Sequence, residues 1–241
     1  MKILKIKNIS KSFDKLKVLH KLNFEVKKGE FFSIVGPNGC GKTTILNILA
    51  GILVPDSGKI ILEKEDITGK ISGKLGYMPQ KDILLPWRNV FDNLKLVTEV
   101  QENAANTNSL IKEYMKKLNL LAFKKFYPYQ LSGGFIKRTS LARTLIYSTI
   151  TGANVIMLDE PFSNLDAMTK YDLKMDLEKI LREEGRTIIF VTHDISEAIS
   201  ISDRIVIFKK RPARIKKIFD LREMGKEGLE EKIMKNLKDE I

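Results

Sequence analysis

Residues 31–50 read FFSIVGPNGCGKTTILNILA. Phe31 to Val35 is a short apolar and aromatic run of the kind that forms a buried strand. Gly36-Pro37-Asn38-Gly39-Cys40-Gly41-Lys42-Thr43 then fits G-x-x-x-x-G-K-[ST] at every fixed position. Ile45, Leu46, Ile48 and Leu49 recur at helical spacing, so the loop opens a helix through Thr43 and Thr44. Strand, glycine-rich loop and helix together form the context that a phosphate cradle needs. The glycines let successive backbone N–H groups turn inward, and the helix N-terminus adds partial positive charge. Lys42 can place an ammonium on the β- and γ-phosphates of a nucleotide, and the Thr43 hydroxyl can ligate Mg²⁺. The chain is expected to bind a nucleoside triphosphate.

Outward from that loop, composition sets the bounds. A chain of 241 residues can bury a proper core in one domain, or in a domain with a subdomain. Met1-Lys2-Ile3 leads straight into strand-like alternation, so no signal segment is expected. No apolar run reaches about 18 residues, so no membrane span is expected. Cys40 is the single cysteine, which excludes an intramolecular disulfide and suits a reducing compartment. Its place in a loop that works through its backbone reads as a small inert filler rather than a reactive thiol. The formal charge of +12 raises the question of nucleic acid or anionic lipid. The lysines are spread along the chain, alternate with glutamates and are not interleaved with aromatics. They read as solvated faces, with lipid headgroups as a secondary option and no nucleic-acid partner.

In chain order, strands are expected over 2–9, at Val18-Leu19 and over 22–26, with a turn at Gly29-Glu30. Phe13 lies near a turn and reads either as core or as a stacking platform for a base. Strands follow over 59–62 and 74–78, the second ending at Pro79-Gln80. Residues 88–146 carry helical periodicity, with a polar loop from Gln101 to Ser109. Strands over 154–158 and 187–191, a helix over 167–184, a short helix over 196–200 and closing strands over 204–208 and 213–219 complete the pattern. Leu229, Ile233, Met234, Leu237 and Ile241 fit an amphipathic terminal helix. The organisation expected is an α/β core over 1–80 and 147–220, a helical subdomain over 81–146 and a C-terminal helix over 221–241.

Two further motifs carry chemistry. An apolar strand ending in Asp159-Glu160 can supply a carboxylate for the hydration shell of Mg²⁺ and a base for an attacking water. Leu131-Ser132-Gly133-Gly134 opens a helix through Ile136, Leu141 and Leu145, and combines a hydroxyl, N–H groups and a positive helix end. It reads as a second anion site or as an ordinary N-cap. A chain with one complete phosphate cradle has a use for a second if it grips a nucleotide bound to another molecule.

With these motifs in order, the sequence resembles the ATP-binding cassette proteins over nearly all of residues 1–220. The resemblance implies a P-loop NTPase core of mostly parallel sheet, with an N-terminal antiparallel β-subdomain and an inserted α-helical subdomain. It implies ATP and Mg²⁺, with Phe13 on the adenine, the 36–43 loop and Thr44 on the phosphates, and Thr43, Gln80 and Asp159 toward the metal. Glu160 would be the base, Gln80 would contact the attacking water, and His193 of Thr192-His193-Asp194 would bond the γ-phosphate. Two copies would form a head-to-tail homodimer in the ATP-bound state. Ser132, Gly133 and Gly134 would face the partner's nucleotide there, and Asp166 of Ser163-Asn164-Leu165-Asp166 would sit beside the partner's phosphate loop. Two departures stand out. Phe135 occupies a place where the family usually has Gln, and Tyr147 to Ala153 reads as a longer link without the common proline. Neither touches a phosphate-contacting position.

Leu84-Leu85-Pro86-Trp87-Arg88-Asn89-Val90, Tyr127-Pro128-Tyr129-Gln130 and Arg211-Pro212-Ala213-Arg214-Ile215 are similar to the importer group associated with nitrate, sulfonates, taurine and thiamine precursors. That similarity implies a motor subunit, peripheral at the cytoplasmic face of the cell membrane. Permease subunits would dock near residues 81–93, and an extracytoplasmic solute-binding protein would belong to the same system. Trp87 is then a docking residue or, alternatively, subdomain core. The rival class is a soluble non-transport cassette ATPase such as an iron–sulfur assembly scaffold. Repair and chromosome types are set aside, because roughly 115 residues between Lys42 and Asp159 leave no room for a long coiled coil.

Overall fold

In the computed structural model, which describes residues 1–100, 107–224 and 228–238, the chain divides into two units. One is Met1–Ser72 with Arg186–Ile241, and the other is Gly73–Gly185. The first begins with β1 (Lys2–Phe13) and β2 (Leu16–Lys27), paired antiparallel. The shorter strands expected from sequence are thereby corrected to two continuous ones. Asn8 and Lys21 hold positive φ of 53° and 46°, with register shifts along the pair. The Asn23 side chain donates to Asn8 Oδ1 at 2.8 Å, and Ser10 Oγ accepts from the Lys21 N–H at 3.0 Å. Bulges absorb the polar residues that break the alternation, and the strands run on.

β3 (Phe31–Val35) is buried at all its positions, as a strand covered on both faces must be. α1 (Lys42–Leu49) follows the glycine-rich loop and buries Ile45, Leu46, Ile48 and Leu49. β4 (Ser57–Leu62) and β5 (Glu65–Asp66) complete an antiparallel sheet of order β2-β1-β4-β5. Phe24 of β2 stacks on Phe32 of β3 with ring centroids 5.4 Å apart, packing this sheet onto the core strands.

The second unit opens with β6 (Leu75–Met78), α2 (Val90–Val100) and α3 (Thr107–Lys117). After single-turn 3₁₀ segments at Leu121–Phe123 and Pro128–Gln130 come α4 (Gly133–Thr151), β7 (Val155–Asp159) and α5 (Ala167–Glu183). β6 and β7 pair in parallel with Met78 opposite Leu158. Of the loop expected over Gln101 to Ser109, residues 101–106 lie outside the described residues, and Thr107 to Ser109 are helical. The expected link from Tyr147 to Ala153 is corrected too, because residues through Thr151 belong to α4. Ser148 and Thr151 return their hydroxyls to carbonyls of the preceding turn, at 2.8 and 2.9 Å, so these polar groups are satisfied inside the helix. Left-handed Gly152 then ends the helix.

The first unit resumes with β8 (Thr187–Thr192), α6 (Ile195–Ile201), β9 (Arg204–Phe208) and β10 (Ile215–Asp220). α7 (Leu221–Met224) and α8 (Leu229–Lys238) follow. β8 and β9 flank β3 in parallel and β10 adds antiparallel, giving the order β10-β9-β3-β8. The last strand starts later than expected, and Ala213 instead bridges Leu19. In α8, Ile233 is buried against a cluster with Val35, Ile207 and Phe219, while Met234 is exposed. Ile241, assigned to the same apolar face, lies outside the described residues. Among the described residues no helix is long and apolar enough to cross a membrane.

Candidate functional site

Ligand sites in parallel sheets form beyond the carboxyl ends of the strands, and the candidate residues of the first unit gather there. β3 pairs with β8 so that Val35 lies opposite Thr192, and with β9 so that Val35 lies opposite Ile207. The loop from Gly36, the His193 turn and the loop carrying Arg211 therefore leave the sheet at one edge. Gly41 caps α1 with φ 116°, and a Cβ there would stand 2.7 Å from Leu19 Cδ2, so only glycine fits. Lys42 is buried, and its ammonium donates to the carbonyls of Gly36 at 2.8 Å and Pro37 at 3.1 Å. The charge is thus stored on the loop's own oxygens. Thr43, Asn38 and Gly39 are exposed, Pro37 and Thr44 are half-buried, and Gly36, Cys40 and Gly41 are buried.

Burial pushes the Cys40 thiol above its usual range against the opposing pull of Lys42, so it stays neutral. Arg211 Nε donates to the Gly39 carbonyl at 3.0 Å. Sequence reading placed Arg211 only in a family segment; its clasp on the loop comes from the β3–β9 register. Exposed His193 follows Thr192, whose hydroxyl donates to Glu197 at 2.6 Å and accepts from the Asp194 N–H at 3.0 Å. Asp194 in turn accepts from the Glu197 N–H at 3.1 Å, so the turn that presents the imidazole is braced on both sides. Phe13, 45% exposed at the end of β1, has the Lys11 ammonium 5.7 Å from its ring centroid. It is a surface aromatic, not core.

The second unit assembles its own set. The parallel register of β6 and β7 brings their carboxyl ends together, and Gln80 Nε2 donates to Glu160 Oε2 at 3.1 Å. Glu160 holds φ 48°, in the left-handed region that side chains disfavour. Its carbonyl accepts from both the N–H and the hydroxyl of Ser163, at 3.1 and 2.9 Å, which fixes this turn. Asp159 is fully buried. Burial, with the nearby Asp159 charge, raises the Tyr77 phenol above its ordinary range.

Ser132 is the exposed N-cap residue of α4, with its side chain making no capping bond to the helix. Gly134 faces α5 so closely that a Cβ would lie 2.5 Å from Thr169 Cγ2. Asp166 caps α5 by accepting from the Thr169 N–H at 3.0 Å, and that bond holds its carboxyl below the usual range. Phe135 packs against Phe123 with ring centroids 3.9 Å apart and planes tilted by 37°, so the departure at this place serves packing. Trp87 is 71% exposed and does not belong to the interior. Asn93, fully buried and not singled out in the sequence, donates to the carbonyls of Leu85 and Arg88 at 3.1 and 2.8 Å and so shapes that segment.

The donors assigned to Mg²⁺ are a hydroxyl, an amide oxygen and one carboxylate. No cluster of three His, Cys, Asp or Glu groups suited to a metal occurs among the described residues. That set fits a hard cation that keeps waters and takes its remaining oxygens from a nucleotide.

Comparison with known proteins follows the same lines. Residues 19–163 match a family described as ABC transporter. An uncharacterised ABC transporter ATP-binding protein of Methanocaldococcus jannaschii is 38% identical over 99% of this chain and 92% of its own. An aliphatic sulfonates import ATP-binding protein of Bacillus cereus is 39% identical over 89% of this chain and 84% of its own. A dimeric ATP-binding cassette in a post-hydrolysis state with ADP and Pi superposes with a TM-score of 0.79. It is 28% identical, over 92% of this chain and 100% of that one.

Proposed function

Because the chain belongs to the ABC transporter family as an ATP-hydrolysing ATP-binding subunit, we propose that it is the motor subunit of a multi-subunit importer. Two copies close head to tail on ATP, and separate membrane subunits carry a small solute. The observation that carries the import reading is the likeness, over most of both chains, to a subunit named for aliphatic sulfonate import. The exposed Trp87 beside half-buried Leu84 and Leu85 supports it, as an apolar wall open to a short helix of a permease. In this reading a solute-binding protein outside the membrane delivers the solute, and the chain rests on the cytoplasmic face. The helical region 81–146 is the subdomain that meets the permease.

For hydrolysis, Lys42 leaves the carbonyls of its own loop for the β- and γ-phosphates, and the backbone N–H groups of the loop cradle them. Phe13 stacks on the base. Thr43, Asp159 and Gln80 would hold Mg²⁺, which neutralises phosphate charge when bound. Glu160, oriented by Gln80, takes the proton from the attacking water. His193 donates to the γ-phosphate, and Ser132, Gly133 and Gly134 of the partner subunit close over it. Asp166, committed to its helix cap, acts by shaping the turn at the dimer face.

Co-expression with candidate permease subunits from the same genome, followed by copurification and uptake assays in proteoliposomes, tests the import reading. ATP-driven uptake requiring this chain is the expected result. Copurification with iron–sulfur assembly proteins, and no permease, would overturn it.

A further inference from the structure

Lys137 lies in the second turn of α4, the helix that begins at Ser132, and only 4% of it is exposed. Lysines are seldom so deeply buried unless their charge and hydrogen bonds are both met. Here the ammonium donates to the Gln80 carbonyl at 3.0 Å and pairs with Asp82 at 3.2 Å. The side chain of the same Gln80 donates to Glu160 at 3.1 Å. Gln80 is therefore gripped at its backbone by α4, while its amide touches the carboxylate assigned as base.

We propose that Lys137 is a positioning residue for ATP hydrolysis, fixing the Gln80 backbone, and through it the Gln80–Glu160 contact, to the helix that starts at Ser132. A movement of α4 then shifts the Gln80 carbonyl with it, and the amide on Glu160 follows. The helix α4 and the carboxylate assigned as base change together through one ammonium. The Asp82 pair has a separate part, which is to neutralise a lysine inside the unit. The two contacts of Lys137 can thus be told apart by experiment: stability follows Asp82, and turnover follows Gln80. The proposal rests on Glu160 being the base.

The test is steady-state ATP hydrolysis and melting temperature of the full-length chain as Lys137→Met, Lys137→Arg and Lys137→Met/Asp82→Asn, with Glu160→Gln as reference. Lys137→Met should lower kcat at least about tenfold, because small misplacements near the chemistry cost that much. KM for ATP should stay within about twofold, the pattern of an interaction needed in the transition state. Lys137→Arg, which keeps a donor for both acceptors, should recover most of the rate. The double variant no longer holds a half-buried carboxylate that has lost its lysine, so its melting temperature should recover while its kcat stays low. If kcat returns together with melting temperature, Lys137 merely stabilises the fold and the proposal is overturned. A raised KM at unchanged kcat overturns it equally. Wild-type turnover by Glu160→Gln would place the fault in the assignment of the base. An inactive Glu160→Gln beside a fully active Lys137→Met would sink the Lys137 proposal alone.

Discussion

Gln80 donates its side-chain N–H to Glu160 Oε2 at 3.1 Å, and each residue follows the carboxyl end of one of two paired parallel strands. An amide on one carboxylate oxygen fixes the orientation of the group. Glu160→Gln keeps the shape and removes the proposed base, so kcat should fall by roughly 10²–10⁴. ATP then persists, and size-exclusion chromatography with ATP and Mg²⁺ should show a dimer. Undiminished turnover would refute the assignment.

Ser132 is exposed at the start of α4 and spends no side-chain bond on its own helix. That suits a hydroxyl reserved for a second copy. Ser132→Arg should abolish hydrolysis yet leave nucleotide binding by the isolated chain largely intact. Wild-type specific activity should rise with protein concentration. A rate independent of concentration in a verified monomer would contradict the shared site.

Arg211 holds the Gly39 carbonyl from a loop 172 positions away in sequence. Removing it frees a glycine-rich turn without emptying any core. Arg211→Ala should raise KM for ATP several-fold, about threefold to tenfold, as expected when a charge-assisted bond that preorganises a binding loop is lost. Melting temperature should hardly change. A KM equal to wild type would show that the clasp is idle.

Phe13 stands on the surface, so its loss leaves no cavity. Phe13→Ala should weaken ATP binding by about 1–3 kcal/mol, the range for a base–aromatic stack. Phe13→Tyr should be nearly silent. Calorimetric titration separates the two, and an unchanged affinity in Phe13→Ala would remove Phe13 from the site.

Trp87→Ala and Leu85→Glu should uncouple transport or block assembly with the permease while ATP binding by the isolated subunit persists. Trp87 is exposed, so its truncation should also spare thermal stability. Normal coupled uptake by both variants would exclude the 84–87 wall as the docking surface.

Motifs built from consecutive residues were legible because local chemistry dictates them. Gly36 to Thr43 must be a loop on a helix, and the apolar run before Asp159 must be a buried strand. The β1–β2 hairpin was harder to read, since Asn8 and Lys21 sit in bulges that look like strand ends. The end of α4 was obscured by Thr149, Ile150 and Thr151, poor helix formers that follow the buried Leu145, Ile146 and Ser148 of the same helix. Lys137, Asn93 and Arg211 were illegible for another reason. Each is an ordinary polar residue in sequence, and its role consists of carbonyls that the folded chain brings to it.

Selection pulls two ways on the left-handed backbone of Glu160. Glycine would adopt that conformation at no steric penalty, so a glutamate here is held against the local preference of the backbone, as a side chain with the proposed role of base would be. Glu160→Gly should relieve the strain of this backbone at the loss of the Gln80 contact, so its melting temperature reads the balance of the two.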